Sequence, residues 1–361
     1  MTLPPPLHGV NVTNSRIAAS QVIRDGLDLR ILPISYNTAV ATVGALQLRK
    51  FLIYAKLVVR LAWTLLRFRP DLCYFPIMQT GRGFYRDVPL VWLMKAAGRP
   101  LIIQMHGLGI DEAIRGRCTR RLYRRVFRNA YVIHQSESVL ADLAKVRDVV
   151  RAMYTVYSAI PDRETPPPRR APSPAREFVT VSNITPMKGQ LVLVRAVKRL
   201  IDAGCTAFRV RMVGQVQDRR FFDELEDVIR AHRLERFIVF DGPKFGAACI
   251  AALQTAEVFI FPSLREAFGL VAIEAMREGL PVIASDVGSL PEIVTPEVGL
   301  RFPAGDDAAL AAHMRVFIER PDLAATMGQA AFRAFRAKFT FAEFERKTRA
   351  VFDEVLRIGK F

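Results

Sequence analysis

The sequence predicts two α/β domains with mainly parallel sheets. Short apolar runs alternate with helical patterns along the chain, which is typical of strands joined by crossover helices. The 361 residues are too many for one ordinary domain and suit two. A proline-rich stretch over residues 161–176 cannot form a continuous helix or an interior strand. We therefore predict a first domain over residues 1–164, a linker over 165–176, a second domain over 177–338 and a terminal helical segment over 339–361.

Each predicted strand is a short run of aliphatic, β-branched and aromatic residues bounded by polar or turn-forming residues. In the first domain the predicted strands are residues 29–35, 72–76, 101–105 and 131–135. In the second domain they are residues 178–182, 208–213, 237–240, 258–261 and 281–285.

Positive charge is concentrated in the first half of the chain. Residues 1–165 contain 24 basic and 11 acidic residues, a balance of +13, whereas residues 166–361 contain 28 and 24, a balance of +4. One basic group has the spacing of a single helical face: Arg49, Lys56, Arg60 and Arg67. A second, denser group comprises Arg115, Arg117, Arg120, Arg121, Arg124, Arg125 and Arg128. These groups are either ordinary solvated faces or docking sites for an anionic partner, and the absence of a stacking aromatic series favours anionic lipid over nucleic acid.

The cysteines and the apolar segments indicate the compartment. Four cysteines without paired spacing argue against a disulfide framework or a zinc site and favour a reducing cytoplasm. No basic region followed by an apolar run opens the sequence, so we predict no signal peptide. The most apolar helical stretch, residues 51–66, contains Lys56 and Arg60 and is too short to span a membrane.

The most informative segment for function runs from Phe261 to Glu274, where Glu266 and Glu274 are separated by seven residues. A buried strand precedes a polar turn that carries Glu266, and the helix that follows carries Glu274 two turns on. Gly269 at the start of this helix lets an anion approach backbone N–H groups, and both carboxylates can accept hydrogen bonds from sugar hydroxyls. The alternative is a glutamate near a helix start and a second, solvated glutamate.

Two further residues follow predicted strands. Lys188 lies in a loop after the strand at 178–182, where it can neutralise a diphosphate or serve as ordinary surface charge. His106 ends the buried strand at 101–105, where a histidine is more often structural than functional. Gly214 and Pro243 also follow strands, a position at which such residues usually mark turns.

These motifs share the order and spacing of a known family. Residues 256–294 closely resemble the donor-binding core of glycosyltransferase family 4, the group 1 glycosyltransferases, which are retaining, nucleotide-sugar-dependent enzymes of the GT-B fold. The Lys188-Gly189 and His106-Gly107 pairs resemble the family's pattern as well. The resemblance implies two Rossmann-like domains whose parallel sheets face a central cleft, with the last helix crossing back onto the first domain.

The resemblance also implies a role for each motif. Glu274 would hold the ribose, Glu266 the donor sugar, and Lys188 with the backbone at the helix start the diphosphate. The expected donor-binding residues are Asn183, Lys188, Gly214, Pro243, Glu266, Phe268, Gly269, Leu270 and Glu274. The expected catalytic residues are His106, Glu266 and Lys188. The family often has an arginine where this chain has Asn183, so charge compensation would rest on Lys188 or on Arg265.

The acceptor side is a looser match. Residues 71–107 resemble the acceptor domain of bacterial polysaccharide glycosyltransferases, which implies acceptor contacts by Arg82 and Arg86. Gly9, near the start of the chain, is also expected on the acceptor side. Residues 1–10 resemble the loop that follows the family's first strand, and the strand itself does not precede them. Either the sheet lacks a central strand, which leaves backbone groups unpaired, or the true start codon lies upstream, which we favour.

The family resemblance implies a retaining, hexosyltransferase-type enzyme that moves a sugar from a nucleotide-sugar donor to a hydroxyl of a glycan or lipid-linked glycan in bacterial-type cell-surface polysaccharide synthesis. We expect no metal or other cofactor, because fixed cations and a helix terminus can stabilise the leaving group. We expect a cytoplasmic protein that binds an anionic membrane surface through its basic first domain and has no nucleic-acid partner. Two alternatives stay open: a GT-B-fold nucleotide-sugar epimerase and a non-catalytic, basic membrane-surface binding protein.

Overall fold

The computed structural model describes residues 9–34, 45–167 and 175–359. The chain falls into two compact units, one formed by residues 1–158 and 342–361 and the other by residues 159–341. Residues 168–174 of the predicted linker lie outside the described residues. Among the described residues each unit has one β-sheet, and every strand ladder is parallel. The predicted α/β class with parallel sheets is therefore confirmed.

The sheet of the first unit has four strands in the order β1-β2-β3-β4. They are β1 (Cys73–Ile77), β2 (Leu101–Met105), β3 (Tyr131–His134) and β4 (Ala152–Thr155). Every residue of β2 and β3 is buried, as expected for strands covered by helices on both faces. The sequence predicted β1, β2 and β3 but missed β4, whose four residues are all half-buried and carry no alternating pattern.

The strand predicted for residues 29–35 is wrong over the residues that the structure describes. Leu29 to Ile34 form no strand, and Ser35 lies outside the described residues. Pro33 lacks the backbone N–H that an interior strand donates to its neighbour. The apolar side chains of this segment instead line a cavity of about 180 Å³, together with residues 72–75 and the inner face of a long helix.

The helices of the first unit pack around this sheet. They are α1 (Gly9–Ala19), α2 (Gln21–Arg24), α3 (Ala45–Phe68), α4 (Gly81–Ala96), α5 (Ile110–Ala113), α6 (Arg117–Phe127) and the last helix of the chain, α14 (Phe341–Ile358). Phe84 of α4 stacks on Tyr123 of α6 with 3.8 Å between ring centroids. On α14, Phe352 lies 5.5 Å from the Tyr74 ring, and Glu354 accepts a 2.9 Å hydrogen bond from Tyr154.

The sheet of the second unit has six strands in the order β10-β9-β8-β5-β6-β7. They are β5 (Arg176–Val181), β6 (Phe208–Val213), β7 (Ile238–Gly242), β8 (Val258–Phe261), β9 (Val282–Ser285) and β10 (Gly299–Phe302). The sequence predicted β5 to β9 to within two residues at each end. It missed β10, a short edge strand that includes Gly299 and an exposed Arg301.

The helices of the second unit cover both faces of its sheet. They are α7 (Gln190–Asp202), α8 (Arg219–Ala231), α9 (Ala247–Gln254), α10 (Leu270–Arg277), α11 (Leu290–Ile293), α12 (Asp307–Glu319) and α13 (Pro321–Lys338). Aspartates cap two of them, since Asp218 accepts from the Phe221 N–H at 3.0 Å and Asp306 from the Ala309 N–H at 2.9 Å. Within the described ranges, no helix combines the length and apolarity needed to cross a bilayer.

The strand order of the second unit positions the candidate site. The chain moves outward from β5 through β6 to β7, then returns to the other side of β5 with β8, β9 and β10. The direction of winding therefore reverses between β5 and β8, which are hydrogen-bonded neighbours. Because all six strands are parallel, the loops after β5 and β8 emerge side by side at the carboxyl edge. Ligands of open parallel sheets bind at such a switch point.

Candidate functional site

An ion pair joins the two loops at the switch point. Lys188, in the loop after β5, places its Nζ 2.7 Å from Oε2 of Glu266, in the loop after β8. Both side chains are largely shielded from solvent, at 29% and 15% exposure. The Lys188 Nζ also lies 5.7 Å from the centroid of the Phe261 ring. The fold thus brings together two of the three residues predicted to be catalytic.

A close backbone approach brings the two loops into contact. Gly189 has a φ of +72°, and a Cβ built on it would lie 1.8 Å from the Pro262 carbonyl oxygen. Next to it, the Leu264 N–H donates a 2.9 Å hydrogen bond to the Met187 carbonyl. Only glycine fits position 189 with the loops this close.

A third loop, after β9, supports the backbone around Glu266. A Cβ on Gly288 would lie 2.0 Å from the Glu266 carbonyl oxygen. The Ser289 hydroxyl donates to the carbonyls of Ala267 and Phe268 at 3.0 and 2.6 Å. The sequence analysis placed this loop within residues 256–294, which resemble the family's donor-binding core, but it missed the contacts of the loop with the backbone around Glu266. The glycine-serine pair is the signal that was available.

The helix start at Gly269 is formed as expected. Gly269 has a φ of +91° and caps α10, whose first residue is Leu270. The first N–H groups of an α-helix have no partner within the helix and carry the positive end of its dipole, so they suit an anion. Phe268 is buried, with its ring 6.5 Å from that of Phe339. Its ring packs within the second unit, and its predicted contact with the donor stays a prediction.

Glu274 lies on the second turn of α10 in a half-buried position. Burial raises the pKa of its carboxyl, the nearby Arg277 lowers it, and Glu278 raises it further. Within the described residues no hydrogen bond to this carboxylate occurs. A shielded carboxylate without a hydrogen-bond donor is an acceptor for ligand hydroxyl groups.

The remaining predicted donor residues lie after β5, β6 and β7. A Cβ on Gly214 would lie 1.8 Å from the Ser182 carbonyl oxygen, so the loops after β5 and β6 also touch. The Gly214 N–H donates to the Gly242 carbonyl at 2.9 Å, directly before the exposed Pro243. Asn183 is exposed, and its backbone carbonyl accepts from Gln190 Nε2 at 2.9 Å. Arg265 is exposed beside Glu266 and has interactions within the chain, so its role at a diphosphate stays a prediction.

His106 belongs to the first unit, at the end of β2. The His106 Nδ1 lies 3.1 Å from the side-chain amide nitrogen of Gln135. An amide nitrogen only donates, so Nδ1 accepts and the imidazole proton resides on Nε2 of His106. Burial lowers the pKa of His106 to about 4, which keeps the ring neutral at physiological pH. The Nε2 atom is buried, and no described residue accepts from it. A buried donor without a partner is costly unless a ligand supplies the acceptor.

The predicted acceptor-side residues are also in the first unit. Arg82 is exposed on the first turn of α4. The Arg86 guanidinium binds the buried carboxylate of Asp87 at 2.8 Å, which also accepts from the Met78 N–H at 3.0 Å. Gly9 is the first residue of α1, while residues 1–8 of the predicted loop lie outside the described part of the chain. Acceptor contacts by these three residues stay predictions.

Parts of the sequence are similar to known proteins. Residues 162–334 match the family model for glycosyl transferases group 1. The chain is 32% identical over 162 residues to an Escherichia coli K12 protein provisionally named colanic acid biosynthesis glycosyltransferase WcaL, a match that covers 43% of this chain and 39% of WcaL. The matches span less than half the length of the curated relatives.

Solved structures resemble the fold over most of the chain. A glycosyltransferase from Rickettsia africae gives a TM-score of 0.71 at 19% identity and covers 90% of this chain and 85% of its own. Anabaena HepE in complex with UDP gives 0.69 at 20% identity and covers 83% and 82%. The fold of the chain is GT-B, as predicted, and the match to the family model falls within the second unit, which carries the motifs around Lys188 and Glu266.

The contact at Gly189 can be tested against a matched glycine. Gly189→Ala and Gly204→Ala both place a side chain at a positive φ, +72° and +77°, but only position 189 meets another atom within 4 Å. We expect Gly204→Ala to lower the free energy of unfolding by about 1 kcal/mol and Gly189→Ala by at least about 3 kcal/mol. Calorimetry would measure both, and hydrogen exchange would localise the added opening to the loops after β5 and β8. Equal losses in the two variants would contradict the close approach.

The neutral state of His106 predicts a pH dependence of stability. The folded protein resists protonation at a pKa of about 4, whereas the unfolded chain protonates near 6.5. Stability should therefore fall as the pH drops from 6.5 to 4, by up to about 3 kcal/mol from this residue, and His106→Gln should remove that component. Urea unfolding followed by tryptophan fluorescence measures the stability of the first unit, because both tryptophans of the chain, Trp63 and Trp92, lie there. An unchanged pH slope in the variant would show that His106 is not held neutral.

Proposed function

We propose that the protein is a retaining glycosyltransferase that transfers a sugar from a nucleotide-sugar donor to a hydroxyl of a glycan or lipid-linked glycan. The observation that carries the proposal is the Lys188–Glu266 pair at the switch point of the second sheet, next to the glycine-capped start of α10. A cation and a helix N-terminus suit the diphosphate of a sugar nucleotide, and carboxylates at the same edge of the sheet suit the hydroxyl groups of its sugar and ribose.

Lys188 and the start of α10 are the proposed diphosphate site. The Lys188 ammonium is paired with Glu266, so a diphosphate that binds Lys188 displaces a carboxylate. Glu266 is then released to accept hydrogen bonds from the donor sugar. Glu274 would accept from the ribose hydroxyls, which offsets the cost of its burial. Lys188 and the N-terminus of α10 are held in place before the reaction, so the proposal requires no metal ion or other cofactor at the leaving group.

The proposed chemistry uses the donor's own phosphate. The bond between the anomeric carbon and the phosphate oxygen breaks, and the acceptor oxygen forms a new bond to that carbon on the same face of the sugar. The acceptor hydroxyl passes its proton to the departing phosphate, which Lys188 and α10 stabilise as an anion. No protein nucleophile is needed. The neutral His106 would donate its Nε2 proton in a hydrogen bond to a hydroxyl of the sugar.

The proposed acceptor belongs to bacterial-type cell-surface polysaccharide synthesis. A lipid-linked glycan would be reached from the cytoplasmic side of an anionic membrane, which matches the basic character of residues 1–165. The protein is therefore proposed to work in the cytoplasm and to bind the membrane peripherally.

Donor binding is the first test. UDP-, GDP- and ADP-sugars should be compared by calorimetric unfolding, and one class at about a hundred times its dissociation constant should stabilise the protein by about 2.7 kcal/mol. Glu274→Ala should abolish that stabilisation, because the ribose loses its acceptor. Glu224→Ala, which removes an exposed carboxylate from α8, is the matched control and should keep it.

Product analysis then separates the proposed reaction from its alternatives. NMR of the product should show the anomeric configuration of the donor, and an inverted product would contradict the retaining mechanism. Release of an epimerised sugar nucleotide without an acceptor would identify an epimerase. A folded protein that binds none of the three donor classes would contradict the enzymatic proposal and favour a non-catalytic, membrane-surface binding protein.

A further inference from the structure

The outward face of α3 carries an apolar stripe that the core does not use. Leu52, Val59, Trp63 and Leu66 are 60%, 68%, 67% and 74% exposed. At about 100° per residue they lie within about 60° of one another around the helix. Other residues of α3 serve the fold, since Leu57, Leu61 and Leu65 pack into the core of the first unit. Exposure of large apolar side chains along a whole face indicates contact with something other than water.

A basic stripe runs alongside the apolar one. Lys56, Arg60 and Arg67 are exposed and occupy the neighbouring arc of α3, about 40° to 80° from Leu52. Residues 45–68 contain no aspartate or glutamate to balance them. The helix therefore presents one apolar and one cationic band side by side, both turned away from the core.

The neighbouring helix α4 also exposes large apolar side chains. Tyr85 and Trp92, two turns apart on α4, are 55% and 46% exposed, and Pro89 between them is exposed as well. The Tyr54 hydroxyl of α3 donates a 2.6 Å hydrogen bond to the Arg86 carbonyl, which joins the two helices. Trp and Tyr are the side chains that favour the boundary between lipid headgroups and acyl chains.

Helix α6, which contacts α4, carries a dense cluster of arginines. Lys95 at the end of α4 donates to the carbonyls of Arg125 and Arg128 at 2.8 and 2.7 Å. Six arginines line a hollow on the outer surface of α6: Arg117, Arg120, Arg121, Arg124, Arg125 and Arg128. Helix α4 contacts both α3 and α6, and the three helices together present an apolar stripe, aromatic side chains and a cluster of arginines.

We propose that this surface of α3, α4 and α6 docks on an anionic lipid bilayer, with Leu52, Val59, Trp63 and Leu66 inserted among the headgroups. The paired apolar and cationic bands of α3 are those of an interfacial helix, and the α6 arginines supply charge complementary to anionic lipid. Three of the four side chains of the stripe, Leu52, Val59 and Leu66, are aliphatic and offer no stacking surface to nucleic-acid bases, so the stripe as a whole favours lipid. The inference gives the proposed membrane partner a defined site, and it does not depend on the donor chemistry.

The two tryptophans make insertion directly measurable. The chain has only Trp63 and Trp92, and both lie on this surface. In Trp92→Phe, Trp63 is the sole reporter. With vesicles of phosphatidylglycerol and phosphatidylethanolamine, its emission should shift to the blue and be quenched by brominated acyl chains. Pure phosphatidylcholine vesicles should give neither effect.

Two sets of variants separate the apolar stripe from the charge. Leu52→Ser with Val59→Ser and Leu66→Ser should lower vesicle partitioning at least about tenfold and remove the quenching. Lys56→Gln with Arg60→Gln and Arg67→Gln should lower partitioning about a hundredfold at low salt. The charge-matched control replaces three exposed arginines of the second unit, Arg195, Arg220 and Arg333, by glutamine and should bind as the wild type does. Val22→Ser, a 49% exposed valine on α2, is the apolar control.

Several outcomes would overturn the proposal. Failure of the wild type to bind anionic vesicles would do so, and so would binding that leaves Trp63 unquenched by the brominated lipid. A blue shift that rises with protein concentration in the absence of vesicles would assign the surface to a second copy of the chain. Tighter binding to single-stranded oligonucleotides than to vesicles would assign it to nucleic acid. Donor binding, measured in the same variants, should be unchanged, so failure here is distinct from failure of the proposed glycosyl transfer.

Discussion

The candidate site depends on how closely the loops after β5 and β8 approach each other. Gly189 and Gly288 each allow a carbonyl oxygen, of Pro262 and of Glu266, to lie where a Cβ would otherwise stand. This approach holds the Lys188 ammonium at the Glu266 carboxylate. The site is therefore built by backbone packing at the carboxyl edge of a parallel sheet, and its charged side chains follow from that packing.

The two charged residues of the site form an ion pair with each other. Lys188 and Glu266 neutralise each other in a shielded position, where either charge alone would be costly. A diphosphate and a sugar can replace the two halves of this pair without leaving a charge unpaired. Glu274 and His106 also have polar groups that a ligand could satisfy. The Glu274 carboxylate is a shielded acceptor to which no described residue donates. The His106 Nε2 atom is a buried donor from which no described residue accepts.

Local pattern predicted the elements that are apolar throughout, and it failed where tertiary context decides. The buried runs at β2, β3, β8 and β9 were identified from composition alone. The edge strands β4 and β10 were missed because strands of only four residues carry little pattern. Residues 29–34 resembled a strand in composition, although Pro33 opposes one. The resemblance located Lys188 and Glu266, but neither periodicity nor motif predicted their ion pair or the serine contacts around it. Nor did the amphipathic pattern of α3 predict that Val59 and Trp63 face outward.

The most direct test is calorimetric titration of a nucleoside diphosphate against the wild type, Lys188→Met and Glu266→Gln. If the diphosphate takes the place of Glu266 at Lys188, the lysine variant should bind it at least about tenfold more weakly. The glutamate variant should bind it at least as tightly as the wild type, because its lysine is already free of the ion pair, and should lose affinity only for the intact sugar nucleotide. Equal weakening of nucleoside diphosphate binding in both variants, or no weakening in either, would contradict the exchange of partners at Lys188.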